Sequence, residues 1–220
     1  MTKNEFYEAI KELGIELTNT QKKQLEDFYN ILIEENKKIN LTRIVEKEDV
    51  YLKHFYDSLT IVKEIDLNKT ETLCDVGTGA GFPGIVLKIV YPNLKVTLID
   101  SLLKRVNYLN NTIARLGLKD IEAIHVRCED YKGEFDVVTA RAVANLEKLI
   151  TWCMHLVKKD GVFVAMKANV DDELNIDNKV FNKYNCKIEK VNKFLLPKEN
   201  SNRSLVVIKK LNSRWILKWT

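Results

Sequence analysis

Apolar residues follow two different rhythms along this chain. Up to residue 66 they recur at helical spacing. Leu25, Phe28, Leu32 and Ile39 keep a near-helical period behind Thr18 or Thr20, either of which can cap the helix. A second amphipathic stretch, 49–64, puts Val50, Phe55, Leu59 and Val62 on or near one side. From residue 71 short apolar runs alternate with helical ones. The runs predict strands over 71–76, 95–100, 121–126, 135–140, 161–167, 186–194 and 204–210. The clearest helix between them is 101–116, where Leu102, Val106, Leu109, Ile113 and Leu116 are spaced 4, 3, 4, 3 and Gly117 stands at the position of a C′ glycine. Strands alternating with helices predict an α/β fold with a mostly parallel seven-stranded, Rossmann-like sheet covered on both faces. The expected organisation is one structural unit, an N-terminal helical cap over 1–66 and a core over 67–220, with no repeat, low-complexity segment or linker.

In such sheets ligands bind beyond the carboxyl ends of the strands, at the switch point. That rule gathers Asp75–Gly81, Asp100, the turn Arg127-Cys128-Glu129-Asp130 and Ala140-Arg141 around one crevice.

Composition narrows the setting. With 220 residues, 45% of them hydrophobic, the chain can bury a substantial core. No apolar run approaches the ~18 residues of a membrane span, and the polar start Met1-Thr2-Lys3-Asn4-Glu5 is unlike a signal peptide. Cys74, Cys128, Cys153 and Cys186 are dispersed, with no CxxC. That argues against zinc, any other metal centre or a disulfide framework, and suits a reducing cytoplasm. The net charge of +4 is unevenly placed: residues 1–70 carry −3, 71–182 carry −1 and 183–220 carry +8. The basic end reads either as a solvated segment or as an edge facing phosphates, and charge alone does not choose.

The candidate chemistry lies at Asp75-Val76-Gly77-Thr78-Gly79-Ala80-Gly81-Phe82-Pro83-Gly84, a strand, a glycine turn and a helix start. Gly77, Gly79 and Gly81 make the GxGxG of methyltransferases, while Gly79, Gly81 and Gly84 also satisfy the dinucleotide GxGxxG. Context favours the first frame. A dinucleotide turn at Gly79 leaves Asp75 and Gly77 unexplained, and a carboxylate beside a pyrophosphate repels it. S-adenosylmethionine instead carries a sulfonium and an ammonium that Asp75 favours. Its own carboxylate can sit at the positive end of the following helix. Asp100, ending the next strand, is placed to accept from both ribose hydroxyls. Glu129 can receive the adenine amino group directly or through the backbone of its turn. Simpler readings stand beside these: Asp100 as a helix cap, Glu129 as a solvated acid, Cys128 as a small core residue. The expectation is a class I S-adenosylmethionine-dependent methyltransferase.

Several further blocks resemble one family. Asn40-Leu41-Thr42-Arg43-Ile44 and His54-Phe55-Tyr56-Asp57-Ser58-Leu59 precede the glycine turn. After it come Leu98-Ile99-Asp100-Ser101 with Lys104-Arg105, His125-Val126-Arg127-Cys128-Glu129, Asp136-Val137-Val138-Thr139-Ala140-Arg141-Ala142-Val143 and Ala165-Met166-Lys167. In this order they resemble the bacterial 16S ribosomal RNA guanine-N7 methyltransferases, RsmG, also called GidB. The Phe82-Pro83-Gly84 extension and the Arg141-Ala142-Val143 block are far more specific than GxGxG. The resemblance implies that Gly77, Phe82, Cys128, Glu129 and Arg141 line the cofactor site. It further implies methylation of guanine 527 in the 530 loop of 16S rRNA. Guanine N7 lies in a groove that side chains cannot enter in A-form RNA, so the expected partner is an accessible loop of 16S rRNA in 30S subunits or assembly intermediates. Two departures stand out: Cys128 where the family commonly has alanine, and the ending from Leu211 to Thr220 in place of a proline-containing basic segment.

Guanine N7 carries a lone pair and no proton, so methylating it needs orientation rather than a general base, a thiol nucleophile or a metal. The chain agrees in having neither an Asn/Asp-Pro-Pro-Tyr block after the fourth strand nor a Pro-Cys or Thr-Cys block. Thr139-Ala140-Arg141 stands there instead. Arg141 is the catalytic candidate: it can donate to guanine O6, steer phosphate, touch the cofactor, or pair with Asp75 or Glu129. Arg43, Lys104, Arg105, Lys167 and Arg203 are the candidate RNA contacts on the strand-end rim. His54 and Asp57 suit either substrate or a structural hydrogen bond in the cap. Rival readings are a methyltransferase for another RNA, a protein or a small molecule, a dinucleotide oxidoreductase, and a non-catalytic RNA-binding factor.

Overall fold

Two threonines start the first two helices. In the computed structural model, which describes residues 1–211, Thr2 Oγ1 accepts from Glu5 N at 3.3 Å and Thr18 Oγ1 from Gln21 N at 3.2 Å. The Glu5 and Gln21 side chains accept the cap N–H groups in return, completing two capping boxes. The helices are α1, Lys3–Glu12, and α2, Asn19–Ile39; of the two candidate caps, Thr18 is the one used. α2 stops at Asn40, whose φ of 50° is left-handed.

The stretch 47–63 is helical throughout but not a uniform α-helix. A π-helical turn, Val50–Tyr56, lies between the α turns Lys47–Asp49 and Asp57–Leu59, and a 3-10 turn, Thr60–Lys63, ends it. The step of five from Val50 to Phe55 is out of phase for an α-helix, and the wider turn brings both inside. Val62, expected on that side, is only partly buried.

Seven strands follow: β1 Thr72–Val76, β2 Lys95–Asp100, β3 Ile121–His125, β4 Phe135–Arg141, β5 Val157–Lys167, β6 Cys186–Leu195 and β7 Asn202–Lys210. Their order is β3-β2-β1-β4-β5-β7-β6. Helices Gly84–Val90, Leu103–Leu116 and Leu146–Cys153 make three of the four links among the first five strands, and the 3-10 turn Cys128–Asp130 lies in the link from β3 to β4; these strands are parallel. β7 runs antiparallel and inserts between β5 and β6. The connection 196–201 is too short for a crossover, so the chain turns back as a hairpin.

Alternate residues of the strands feed two apolar layers. One joins Leu73, Leu98 and Val164 to the cap through Phe6, Phe28 and Phe55. There the Phe28 and Phe55 rings stack at 5.7 Å, and Phe28 lies 5.2 Å from Phe82 of the glycine loop. Fully burying each such ring contributes about 2–3 kcal/mol. The other layer packs Cys74, Val138 and Phe163 against Leu146, Leu149 and Ile150. No helix of the described residues is long and apolar enough to cross a membrane.

Over its described part the basic end forms the last two strands and faces several acids from elsewhere in the chain. Lys190 pairs with Glu64 at 2.8 Å, Arg203 with Asp57 at 2.8 Å, Lys193 with Asp171 and Lys198 with Glu5. Lys209 and Lys210 lie near Glu189 and Glu134. Much of the positive excess answers acids elsewhere in the chain. The unusual ending lies, from residue 212, outside the described residues.

Candidate active site

The glycine loop is folded around a carboxylate. Asp75, at the end of β1, is fully buried, and its Oδ2 accepts from Thr78 Oγ1 at 2.6 Å and Gly84 N at 2.8 Å. Gly77 N and Thr78 N donate to Ile99 O, tying the loop to β2. Gly77 and Gly81 need their φ of 66° and 96°, which side-chain-bearing residues rarely adopt. A Cβ on Gly77 would also stand 2.8 Å from Val143 Cγ1. Asp75 therefore lies beneath the loop and does not line the crevice. Its Oδ1 is buried without a partner, and burial pushes the carboxyl up to about 6. Gly84 N is committed to Asp75, so the Gly79 frame lacks a free helix-start amide that a pyrophosphate would use.

The crevice beside the loop measures about 300 Å³ and is lined by Gly77, Asp100, Ser101, Arg127, Cys128 and Glu129, among others. Asp100 Oδ1 accepts from Leu102 N at 2.9 Å, steering the chain into the helix Leu103–Leu116, while Oδ2 accepts from Gly79 N at 3.0 Å. Oδ2 also accepts from Arg105 Nη1 at 3.4 Å, so of the about four lone-pair positions of a carboxylate one stays open, on Oδ1. Cys128 Sγ donates to Trp152 O at 3.0 Å, turning the thiol into the wall, and Glu129 is exposed beside it. These residues fit S-adenosylmethionine: a backbone-lined cradle, an acid with an open lone pair for a ribose hydroxyl, and a buried carboxylate with an unanswered oxygen below a cationic ligand.

That carboxylate gives a pH prediction. Asp75 is ionised above about pH 6, where a cation gains most from it, and neutral below. Affinity for S-adenosylmethionine should fall as pH drops through 6, and affinity for the uncharged thioether product should fall less. The free protein should show the opposite trend in stability. A carboxyl raised in the folded state adds stability below its unfolded value, lost as pH rises through 6. Calorimetric titrations of both ligands from about pH 5 to 8 check it; equal pH dependence would remove Asp75 from the account.

Arg141 ends β4 and does not pair with Asp75 or Glu129. Nη1 donates to Asp57 Oδ2 at 2.9 Å and to Lys53 O at 3.0 Å, and Nη2 lies 3.1 Å from His54 Nδ1. Its guanidinium carbon is 5.3 Å from the centroid of Phe82, whose other contacts include a parallel stack on His54 at 4.4 Å. Asp57 Oδ1 accepts from Arg203 Nε at 2.8 Å. Two arginines from β4 and β7 thus share one carboxylate from the cap. Nε of Arg141 has no protein partner among the described residues.

The rim cations differ in availability. Arg43 and Lys104 are exposed. Arg105 is partly buried, 3.4 Å from Asp100 Oδ2. Lys167 is not free for phosphate: its side chain is 9% exposed, with Nζ 2.8 Å from Glu173 and 2.7 Å from Ala144 O. Arg203 is held by Asp57 and Ser201. Sequence reasoning missed Thr42, whose Oγ1 lies 2.9 Å from His54 Nε2, and Val143, which covers Gly77. Both stand inside the quoted blocks, which was the available signal.

Comparisons with known proteins agree with this architecture. The family model GidB, rRNA small subunit methyltransferase G, matches residues 21–206. A protein of Staphylococcus epidermidis named ribosomal RNA small subunit methyltransferase G is 47% identical, covering 92% of this chain and 87% of its own. One of the same name from Bacillus subtilis is 44% identical over 97% and 92%. Among solved structures, a SAM-dependent methyltransferase from Aquifex aeolicus superposes with a TM-score of 0.55 at 19% identity, covering 81% of this chain and 98% of that one. A ribosomal protein L11 methylase from Lactobacillus delbrueckii gives 0.54 at 19%, over 76% and 80%. These two show the fold alone.

Proposed function

The chain belongs to the family of rRNA small subunit methyltransferase G, GidB, and on that premise we propose that it transfers a methyl group from S-adenosylmethionine to N7 of a guanine in 16S ribosomal RNA, the 530-loop guanine 527. The cofactor supplies an electrophilic methyl on a sulfonium, open to in-line attack by a lone pair. No proton leaves N7, so the residues need only hold the two partners in line and keep the site dry. Gly77, Gly79 and Gly81 give the cofactor close backbone contact, Asp100 takes the ribose, and the Cys128–Glu129 turn faces the adenine. Phe82 supports the loop from behind.

The observation that carries the guanine reading is the group at the end of β4. Arginine is donor-only, and the Nε edge of Arg141 is uncommitted. Guanine presents two acceptors, O6 and N7, on its major-groove edge. Donation from Arg141 to O6 orients the base and leaves N7 for the methyl. That edge is inaccessible in an A-form duplex, so the target is an unpaired loop, reached in 30S subunits or assembly intermediates.

Arg43 and Lys104 contact phosphate in this reading. Arg43→Gln and Lys104→Gln should each weaken RNA binding and lower the slope of log affinity against log salt by about 1. Lys167→Gln should instead lower the melting temperature, because it leaves Glu173 without its cation. An unchanged slope in the first two variants would place the RNA elsewhere.

The function itself is tested with methyl-labelled cofactor and 30S subunits lacking the modification, mapping label by strand cleavage specific for N7-methylguanine. Label at the 530-loop guanine supports the proposal. Label elsewhere in the RNA, or on protein, replaces the acceptor and leaves the cofactor assignment standing.

A further inference from the structure

Arg141 can donate hydrogen bonds but cannot accept them. Its Nη2 lies 3.1 Å from His54 Nδ1, so Nδ1 must offer a lone pair and the imidazole proton must sit on Nε2. Nε2 is 2.9 Å from Thr42 Oγ1. That hydroxyl oxygen also accepts from Ile44 N at 3.0 Å, so both of its lone pairs meet donors. Thr42 is itself anchored, its N–H donating to Asn36 Oδ1 at 2.8 Å at the end of α2. Burial, with the Arg141 charge adding, pushes the His54 imidazole down to about 3, so the ring is neutral near neutral pH. The ring cannot tilt freely, because it stacks on Phe82 at 4.4 Å with 14° between planes.

We propose that Thr42 selects the Nε2–H tautomer of His54, and that the pair are positioning residues which hold the Arg141 guanidinium in its working orientation. This rests on the reading that Arg141 faces the acceptor base. With the opposite tautomer, Nδ1–H would confront the N–H groups of Arg141, donor against donor. The guanidinium would then swing on its remaining contacts with Asp57 and Lys53 O. Thr42 adjoins the exposed Arg43, so the loop expected to meet RNA is joined to the β4 end through two hydrogen bonds.

The chain has three histidines, which makes the imidazole nitrogens individually assignable by ¹⁵N NMR on the full-length protein. His54 is identified as the signal lost in His54→Asn. The wild type should show a neutral ring protonated at Nε2. Thr42→Val, which keeps shape but removes the acceptor, should give a mixture of tautomers and a kcat for methyl transfer about tenfold lower. KM for S-adenosylmethionine should not change. Thr42→Ser should restore both readouts. His54→Asn, whose Oδ1 can stand in for Nδ1, should retain more activity than His54→Gln, whose amide reaches toward Thr42 instead. A wild-type ring protonated at Nδ1 overturns the proposal, as does a tautomer shift in Thr42→Val with kcat unchanged. A lower melting temperature in Thr42→Val with the tautomer intact would show a packing role only and also overturn it. The tautomer readout needs no RNA. If the wild type methylates no 16S RNA, the functional reading fails while the tautomer readout still decides whether Thr42 sets the ring; if it does methylate and Thr42→Val matches it, only this inference fails.

Discussion

Arg141→Ala is expected to reduce methyl transfer by at least about 100-fold if, as proposed, this arginine donates to the acceptor base. The same change should cost about 2 kcal/mol of stability, because Asp57 and the His54 lone pair lose a buried donor while Arg203 still answers Asp57. Arg141→Lys separates the two effects. It keeps the charge, but one ammonium cannot span Asp57, Lys53 O and His54 while leaving an edge for guanine. Its melting temperature should recover more than its kcat. Calorimetry then assigns the role. Unchanged cofactor affinity in Arg141→Lys places the arginine on the acceptor, and lost affinity places it on the cofactor. Full activity in Arg141→Ala would remove it from the site.

Gly84→Ala should be the most damaging single methyl in the glycine loop. A Cβ there would stand 2.2 Å from Leu98 Cδ2 and 2.9 Å from Asp75 Oδ2. Relief requires repacking the buried Leu98 side chain or breaking the bond from Gly84 N to Asp75, at a cost of about 3 kcal/mol. For a chain of this size that lowers the melting temperature by roughly 6–12 °C, and cofactor affinity should fall with it. Gly117→Ala is the comparison. Its φ of 63° is left-handed, which that of Gly84 is not, and nothing lies within 4 Å of the added carbon. Only backbone strain of about 1 kcal/mol should appear. Differential scanning calorimetry of both variants checks the contrast; a loss in Gly84→Ala no larger than in Gly117→Ala would mean that the surrounding side chains absorb the methyl.

The strands were legible because each is a short apolar run ending in a chemical signal, such as Asp75, Asp100 or Arg141. The helix ending at Gly117 was legible because period and stop signal coincide. What could not be read is what depends on distant partners. Arg141 and Asp57 are 84 positions apart, and Arg203 and Asp57 are 146 apart. No local pattern distinguishes a cation that will be neutralised from one that stays free, so Lys167 and Arg203 looked as available as Arg43 and Lys104. The insertion of β7 was equally hidden, because alternating strands and helices do not specify the order of the last pair. The π turn at Val50–Tyr56 left a trace, the step of five to Phe55, that a helical period cannot accommodate.

The position of β7 has a consequence for biosynthesis. Translation delivers β6 before β7, yet β6 reaches the sheet only through β7. A nascent chain that has exposed β5 therefore has an unfinished sheet edge, and Asp57 still lacks the guanidinium of Arg203. The second ion pair of Asp57, which ties the array around Arg141 to the last strand pair, forms only once residue 203 has left the exit tunnel.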